Sequence, residues 1–533
     1  MDVLTPELVF GLVGPLGSNI DAAQEALRVE LMKVGYEAVV IHLTRDLKAM
    51  LHEFSSFEID TYTQKINLMN DVVRYSGKQD FLARVAIASI VANRVKFNKP
   101  RELNAKNARI FQASKKAYIV RQLKRKQEAD LLSKVYGKKF VQISIAVSEG
   151  DQFQSVLSIV GREAPELSQV KRESEARQLI IRDKDEAGSP FGQSLINVYH
   201  SADVFVGGNA NEIGSQIGRF IEAFFGSNMI SPTRDEFGSF LAKTASFRTL
   251  DLSRQVGAAI MSKFGDVITL GCNEVPKSQG GNYWCDDDYP QRDIERGVEP
   301  NKLETTRLIY DFVHALSKLD KMNFDPVEVL RDPALDHVLK DAFISDITEF
   351  GRITHAEMSA LADAARLGRS TLGSTIYVTT FPCHNCAKHL IAAGVTRIVY
   401  IEPYAKSKAF ELSGDALTVS RGDSDKVLVE HFIGIAPRRY REIFEKGKKR
   451  RDELNRVKKW QFDDPTPMID NKTGTHTFLE FHALSGFKSG LSQVAAMFAA
   501  RKVDAVKFGP KTAKTRTRAA RPVGVRPTRN FRS

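Results

Sequence analysis

The sequence predicts an α/β protein of two units in tandem, and three observations predict it. The chain opens as strand, glycine loop, helix and strand: an apolar run over Leu8-Val9-Phe10-Gly11-Leu12-Val13, the loop Gly14-Pro15-Leu16-Gly17-Ser18-Asn19, a helix from about Asp21 to Lys33 stopped by Gly35, and a strand from Tyr36 to Leu43. The alternation continues through the strands Phe140–Val147 and Ala202–Val206, which implies a parallel sheet with helices on both faces. After Ile230-Ser231-Pro232-Thr233-Arg234 the pattern changes, and a second set of strands frames a cluster of His, Glu and Cys. The expected boundaries are 1–235 for the first unit and 236–455 for the second, with an insertion at about 283–350, then an extension over 456–505 and a basic tail over 506–533.

Composition sets the outer limits. A chain of 533 residues has room for two to four separate cores. It has no apolar run of membrane-spanning length, and its first residues lack a basic signal-peptide start, so a cytoplasmic protein without a membrane partner is expected. Four cysteines are too few for a disulfide framework in a chain this long. The net charge of +12 is concentrated: Lys511, Lys514, Arg516, Arg518, Arg521, Arg526, Arg529 and Arg532 lie in a Pro/Thr/Arg-rich tail without one acidic residue, and the rest of the chain carries +4. That tail reads as disordered.

In the first unit the glycine loop is a degenerate P-loop. Set against G-x-x-x-x-G-K-[ST], Gly17 takes the second glycine, Leu12 replaces the first, Ser18 replaces the lysine and Asn19 the Mg²⁺-binding hydroxyl. Gly14, Gly17, Ser18 and Asn19 are therefore candidates for holding a regulatory nucleotide without transferring its phosphate, and a structural relic or a working kinase or NTPase are the alternatives. The run Arg121-Gln122-Leu123-Lys124-Arg125-Lys126 beside Glu128 and Asp130 reads as a solvated helix face, with a phosphate clamp as the other reading.

The second unit begins with a helix expected over Phe237–Phe264, then the strand Asp266–Gly271 leading into Cys272-Asn273-Glu274-Val275-Pro276. The insertion carries Asp286-Asp287-Asp288 and Arg292-Asp293 and suits a lid or a regulatory nucleotide site, whereas its acidic triplet is explained as well by solvation as by a second metal. Thr354 is expected to cap a helix ending at Gly368, Ser374–Thr380 to form a buried strand, and Pro382 to open a further helix. Thr396–Ile401 is another core strand and delivers Glu402-Pro403-Tyr404-Ala405-Lys406-Ser407-Lys408 to the same edge. Val427–Phe432 and Pro437–Tyr440 close the unit, charged helix-like surface follows, and a hairpin near Asn471–Phe481 precedes a helix to about Ala500.

The chemistry lies in Thr354-His355-Ala356-Glu357 and Pro382-Cys383-His384-Asn385-Cys386. One imidazole and two thiolates, His355, Cys383 and Cys386, give Zn²⁺ three ligands and leave the fourth tetrahedral position to water. H-x-E followed by P-C-x-x-C is the order found in zinc nucleobase deaminases, where the carboxylate, here Glu357, moves the protons. A closed structural zinc site, completed by Cys272 or Cys285, is the alternative. Tyr404 suits stacking on a pyrimidine, and Lys406 and Lys408 suit a 5′-phosphate chain.

A strand ending in G-x-N-x-x-P, then H-A-E and T-x-x-P-C-x-x-C-A-K, resembles the deoxycytidylate deaminase family. The resemblance implies that Asn273 contacts the nucleoside, with Ala356 beside it. The two-part arrangement up to about residue 480 is similar to the bacterial antiviral deoxycytidine-nucleotide deaminases, and that resemblance implies a cytidine-deaminase-like α/β/α second domain, dCMP or dCTP as substrate, nucleotide depletion on infection, a homo-oligomer, and a small RNA as an inhibitory partner. The basic tail keeps two rivals open, a polynucleotide cytidine deaminase and an RNA- or nucleotide-sensing module with the deaminase as output.

Overall fold

The computed structural model describes residues 5–51, 59–98, 115–186, 189–319, 324–339, 342, 344, 347–404, 406–446, 450–460, 465–469 and 476–508. The basic tail from 509 onward, Ala405 and the first part of the expected hairpin lie outside these residues.

Each of two six-stranded sheets carries its own core. In the first, β1 (Leu8–Val13), β2 (Glu37–His42), β3 (Lys116–Arg121), β4 (Phe140–Ala146) and β5 (Val204–Gly207) run parallel in the order β2-β3-β1-β4-β5. Strand β1 is buried at every position, as a strand covered on both faces must be. Its alternate residues divide: Leu8, Phe10 and Leu12 pack under α1 (Ile20–Lys33), and Val9 and Val13 face the opposite layer. Because β1 pairs with β3 on one side and β4 on the other, the strand order reverses there, which is where open α/β sheets form ligand crevices.

The helices of this unit are α2 (Leu43–Met50), α3 (Tyr62–Ser76), α4 (Phe81–Asn98), α5 (Lys126–Tyr136), α6 (Glu149–Glu163), α7 (Gln169–Lys184), α8 (Leu195–Tyr199) and α9 (Ala210–Phe224). The box in which Asn209 and Glu212 cap each other's amides starts α9, whose Ile213, Ile217, Phe220 and Phe224 join α1 on one face of the sheet.

The second sheet runs β10-β11-β9-β8-β6-β7, formed by β6 (Gly257–Met261), β7 (Val267–Cys272), β8 (Thr375–Thr380), β9 (Arg397–Glu402), β10 (Leu417–Thr418) and β11 (Val427–His431). Strands β8 to β11 are parallel, and β6 is antiparallel to both its neighbours. Helix α10 (Arg234–Ser246) covers one face, and α15 (Ala356–Arg366) and α16 (His384–Ala392) cover the other. The helix expected over Phe237–Phe264 therefore ends early, and Gly257-Ala258-Ala259-Ile260-Met261 is a central strand. Its small residues are the reason: a Cβ on Gly257 would lie 2.0 Å from the Ala242 carbonyl oxygen of α10. Gly271 does the same on the opposite face, where a Cβ would lie 2.1 Å from the carbonyl oxygen of Ala356, so α15 sits directly on the sheet.

The insertion folds as α11 (Asp293–Arg296), α12 (Pro300–Ser317), α13 (Pro326–Arg331) and α14 (Ala334–Leu339). Its acidic triplet is clasped by the chain: Lys277 Nζ donates to Asp287 Oδ1 at 2.6 Å and the Trp284 amide donates to Oδ2 at 2.7 Å.

After α17 (Ala409–Ser413) and β11 the chain returns to the first sheet. Strand β12 (Gly434–Ile435) pairs antiparallel with β5, and α18 (Pro437–Phe444) sends Arg439 into the buried Asp203 carboxylate at 3.0 Å, so this segment, grouped with the second unit on sequence, packs with the first. Residues 476–481, expected in a hairpin, belong to helix α19 (His476–Ala483), and α20 (Phe487–Phe508) follows. The helix is fixed by charge as well as packing: Arg94 bridges Glu7 and Glu480, each at 2.7 Å, with all three side chains buried, and His476 Nε2 lies 2.8 Å from Glu7. No helix among the described residues is long and apolar enough to cross a membrane.

Candidate functional site

Two helix N-termini meet at one end of the second sheet. His355 is the N-cap of α15 and Cys383 the N-cap of α16; Thr354, expected as the first cap, is instead extended and bridged to Glu274, and Pro382 stands just outside its helix. His355 makes no capping bond, which leaves its ring aimed at the second helix, whereas Cys383 Sγ accepts from the Cys386 amide at 3.4 Å. Both thiolate positions gain from the positive end of α16.

His355 Nδ1 lies 3.5 Å from Cys383 Sγ and 3.4 Å from Cys386 Sγ, and the three ligand atoms fall within 4.8 Å of one another. Bonds of about 2.0 Å to nitrogen and 2.3 Å to sulfur at tetrahedral angles separate N and S by about 3.5 Å, so the residues fit zinc. Their protonation fits too. The hydrogen bond with Cys386 lowers the Cys383 thiol to about 4 against its burial, and Cys386, bonded to Cys383 and buried, is pushed up. Without a cation the pair holds one negative charge; a dication lets both sulfurs ionise. Neither Cys272, which is buried, nor Cys285, which is exposed, joins the group among the described residues, so no fourth protein ligand closes the site.

Glu357, one residue into α15 from Ala356, is 4% exposed, and no lysine or arginine pairs with it among the described residues. Burial raises its carboxyl pKa, so it holds a proton more readily than a solvated glutamate. Ala356 is fully buried beneath β7 and shapes the helix start.

Asn273 precedes Glu274, which is bridged to Thr354, and its side chain is engaged within the protein. Its Nδ2 donates to Asp251 Oδ2 at 2.7 Å and to the Arg254 carbonyl at 2.8 Å, and its Oδ1 accepts from the Val256 amide at 2.7 Å. Both amide hydrogens are thus used inside the protein, and Asn273 clasps the loop 249–256 rather than projecting both donors into a cleft. The loop carries two residues that sequence reasoning missed: Asp251, close enough to bias His355 toward its charged form, and Arg254, whose guanidinium lies 5.6 Å from the Tyr404 ring centre. Their only signal in the chain was a polar Asp-Leu-Ser-Arg run directly before a strand.

Tyr404 is beside that loop, and Ser407 ties its own loop to the metal turn by donating to the Pro382 carbonyl at 2.7 Å. Lys406 is exposed, and Lys408 sits 3.5 Å from Glu411.

The glycine loop of the first unit differs from its expected form. The Leu16 amide donates to Asp183 Oδ2 at 2.7 Å, and the buried Lys124 Nζ donates to Asp183 Oδ1 at 2.8 Å and to the Gly14 carbonyl at 3.0 Å. An amide that would serve a phosphate already serves a carboxylate. Asn19 Nδ2 donates to the Gly208 carbonyl at 3.0 Å, the Ser18 hydroxyl is buried without a partner among the described residues, and Gly17 takes a left-handed φ of +89°.

Residues 236–402 match the family profile described as the cytidine and deoxycytidylate deaminase zinc-binding region. The chain is 48% identical to the deoxycytidylate deaminase of Enterobacteria phage T2 over 54 residues, 10% of this chain and 29% of that one. It is 38% identical to ComE operon protein 2 of Bacillus subtilis (strain 168) over 84 residues, 15% of this chain and 43% of that one. It thus spans less than half the length of these two relatives. Among solved structures, the dCMP deaminase of cyanophage S-TIM5 in complex with dCMP and dUMP is similar at 18% identity, covering 38% of this chain and 98% of that one with a TM-score of 0.22.

Proposed function

We propose that the second unit hydrolyses the exocyclic amine of a free deoxycytidine nucleotide, dCMP or dCTP, giving the deoxyuridine form and ammonia. The observation that carries this reading is a three-ligand cluster that no fourth protein ligand joins among the described residues, beside the buried carboxyl group of Glu357. A closed structural site has no use for such a carboxyl.

His355, Cys383 and Cys386 would hold zinc, which when bound would act as a Lewis acid and bring the pKa of a water on it toward about 7. Glu357 does the proton work: its carboxylate takes a proton from the attacking water, delivers it to pyrimidine N3 as oxygen bonds to C4, and carries a second to the departing amine as the C4–N bond breaks. Water is consumed, ammonia leaves, and Glu357 ends as it began. The clasp of Asn273 on the 249–256 loop holds Arg254 against Tyr404, which makes a stacking and phosphate-facing wall for the nucleotide, with Lys406 at its outer edge.

Purified full-length protein incubated with dCMP, dCTP, CTP and single-stranded DNA, with uracil products read by chromatography, tests the reading. Conversion of dCMP or dCTP is expected; faster turnover of the DNA overturns it in favour of a polynucleotide enzyme. The antiviral role rests on the two-part resemblance and predicts a fall in deoxycytidine nucleotides in infected cells that carry the active chain.

A further inference from the structure

A second cavity lies at the carboxyl edge of the first sheet, where β2 ends at His42 and β3 at Arg121. Open α/β sheets bind ligands at this edge. Four cations line it, Lys65, Arg121, Lys124 and Arg125, the last paired with the buried Glu128 at 3.2 Å, and they are not equivalent. Arg121 reaches Asp21 at 2.5 Å and Lys124 reaches Asp183 at 2.8 Å, but no carboxylate bonds Lys65 among the described residues. Lys65 is half-buried, and the charged neighbours that act on it, Arg121 and Lys124, both repel it, so its pKa is lowered by burial first and by those two cations next. The Tyr62 ring, 5.6 Å from Nζ at its centre, gives Lys65 a weak cation–π contact, and a half-buried ammonium with two cations beside it is still a cost to the fold.

Two further observations point the same way. Gln122, the residue that follows β3 and lines the cavity, has φ +67°, a conformation that non-glycine residues avoid and that concentrates at ligand sites. Helix α2 starts at the cavity with His42 as N-cap, and among the described residues the His42 side chain makes no capping bond and its buried Nδ1 has no partner. The cavity is partly open and offers about 60 Å³ of room, enough for several water-sized groups such as those of one tetrahedral anion. The apolar side chains of Ile66 and Met69 line its remaining wall.

We propose that this cavity binds the phosphate of a phosphate monoester, with Lys65 and Arg121 as its cationic contacts and the rest of the ligand lying outward along the apolar wall. The site adjoins the glycine loop through Lys124, which donates to the Gly14 carbonyl, but the loop's Leu16 amide is taken by Asp183.

Isothermal titration of the full-length protein with inorganic phosphate and, separately, with AMP, GMP, UMP and dTMP tests it, run on the wild type, Lys65→Met and Glu357→Ala. At least one probe should bind the wild type in the millimolar range or tighter, Lys65→Met should weaken that binding tenfold or more, and Glu357→Ala should leave it unchanged. Equal binding of inorganic phosphate and the monophosphates would make the anion the whole ligand; tighter binding of a monophosphate would bring the apolar wall into the site. Thermal unfolding separates binding from folding: with its repulsion removed, Lys65→Met should melt no lower than the wild type when no ligand is present. No binding by any probe, unchanged affinity in Lys65→Met, or a Glu357→Ala variant that loses the binding overturns the proposal. None of these outcomes depends on whether the second unit deaminates nucleotides.

Discussion

The glycine loop after β1 and the turn after β8 occupy the same kind of place: each leaves a buried parallel strand and runs to a helix. Their polar groups differ in kind. At the first, Asp183, Lys124, Gln193 and the Leu16 amide satisfy one another, with the carboxylate fully buried. At the second, two sulfurs and an imidazole crowd within hydrogen-bonding range, and the buried Glu357 beside them pairs with no lysine or arginine among the described residues. A carboxylate and an ammonium close on each other as an ion pair, whereas two thiols and an imidazole at this spacing are a set of metal donors. The difference separates a loop closed on its own ion pair from a cluster that fits a metal ion.

Breaking the second site should give the largest effects. Cys383→Ser should abolish both bound zinc and turnover, read by metal analysis and uracil formation. Glu357→Gln should keep the zinc and the melting temperature yet lower the rate by about 10²–10⁴-fold, the usual worth of a general acid-base group. Zinc-free active protein, or a Glu357→Gln variant at full rate, would remove the contrast between the two regions.

Breaking the first loop should cost stability instead of chemistry. Asp183→Ala leaves Lys124 buried without its counterion and should lower unfolding stability by about 3–5 kcal/mol, whereas the double variant Asp183→Ala with Lys124→Met should recover a large part of that loss. Denaturant unfolding measures both. If Asp183→Ala proved neutral, the pair would not be what fills the loop.

The clasp over the active-site edge sharpens the comparison further. If Asn273 acts through the 249–256 loop, then Asp251→Ala, which removes one of its two acceptors, should raise KM in the same direction as Asn273→Ala, each by less than the Glu357 effect. A large loss for Asn273→Ala with none for Asp251→Ala would return Asn273 to direct contact with the nucleoside.

Much of this was legible in the chain because it is local. Cys383 and Cys386 are three apart, His355 and Glu357 two apart, and a helix N-terminus turns such spacings directly into geometry. What was not legible was long-range. Asp183 gives no hint in sequence that it returns to Leu16, and Glu480 none that it reaches Arg94. Gly257-Ala258-Ala259 looked helical because alanine favours helices, and the sheet took it because only small side chains let α10 approach so closely. Arg121 to Lys126 read as a solvated face, yet Lys124 and Arg125 are buried and only Lys126, paired with Asp130 at 2.5 Å, behaves as expected.

The smallest predicted effect concerns the seam between the two regions. His431 ends β11 among the rings of Tyr199 and Phe205 from the first unit and Tyr400 from the second, with centroids 5.0–5.3 Å away. Burial lowers its pKa to about 4, while the unfolded imidazole titrates near 6.5. The unfolded chain therefore takes up a proton first as pH falls. The stability that the neutral ring contributes is complete above about pH 6.5 and is lost progressively as pH falls to about 4. With these two values the loss is about 1 kcal/mol at pH 5.5 and approaches about 3 kcal/mol below pH 4. Glu7 titrates in a lower window: its burial is outweighed by His476 and Arg94, its pKa is lowered to about 2 from 4.5, and its contribution is lost only as pH falls below 4.5. His431→Phe removes the titrating group while keeping a ring in the aromatic cluster, so its melting temperature should fall less than that of the wild type between pH 7 and pH 5.5. Parallel pH profiles for the two proteins would show that the seam does not contain the group that responds first to acid.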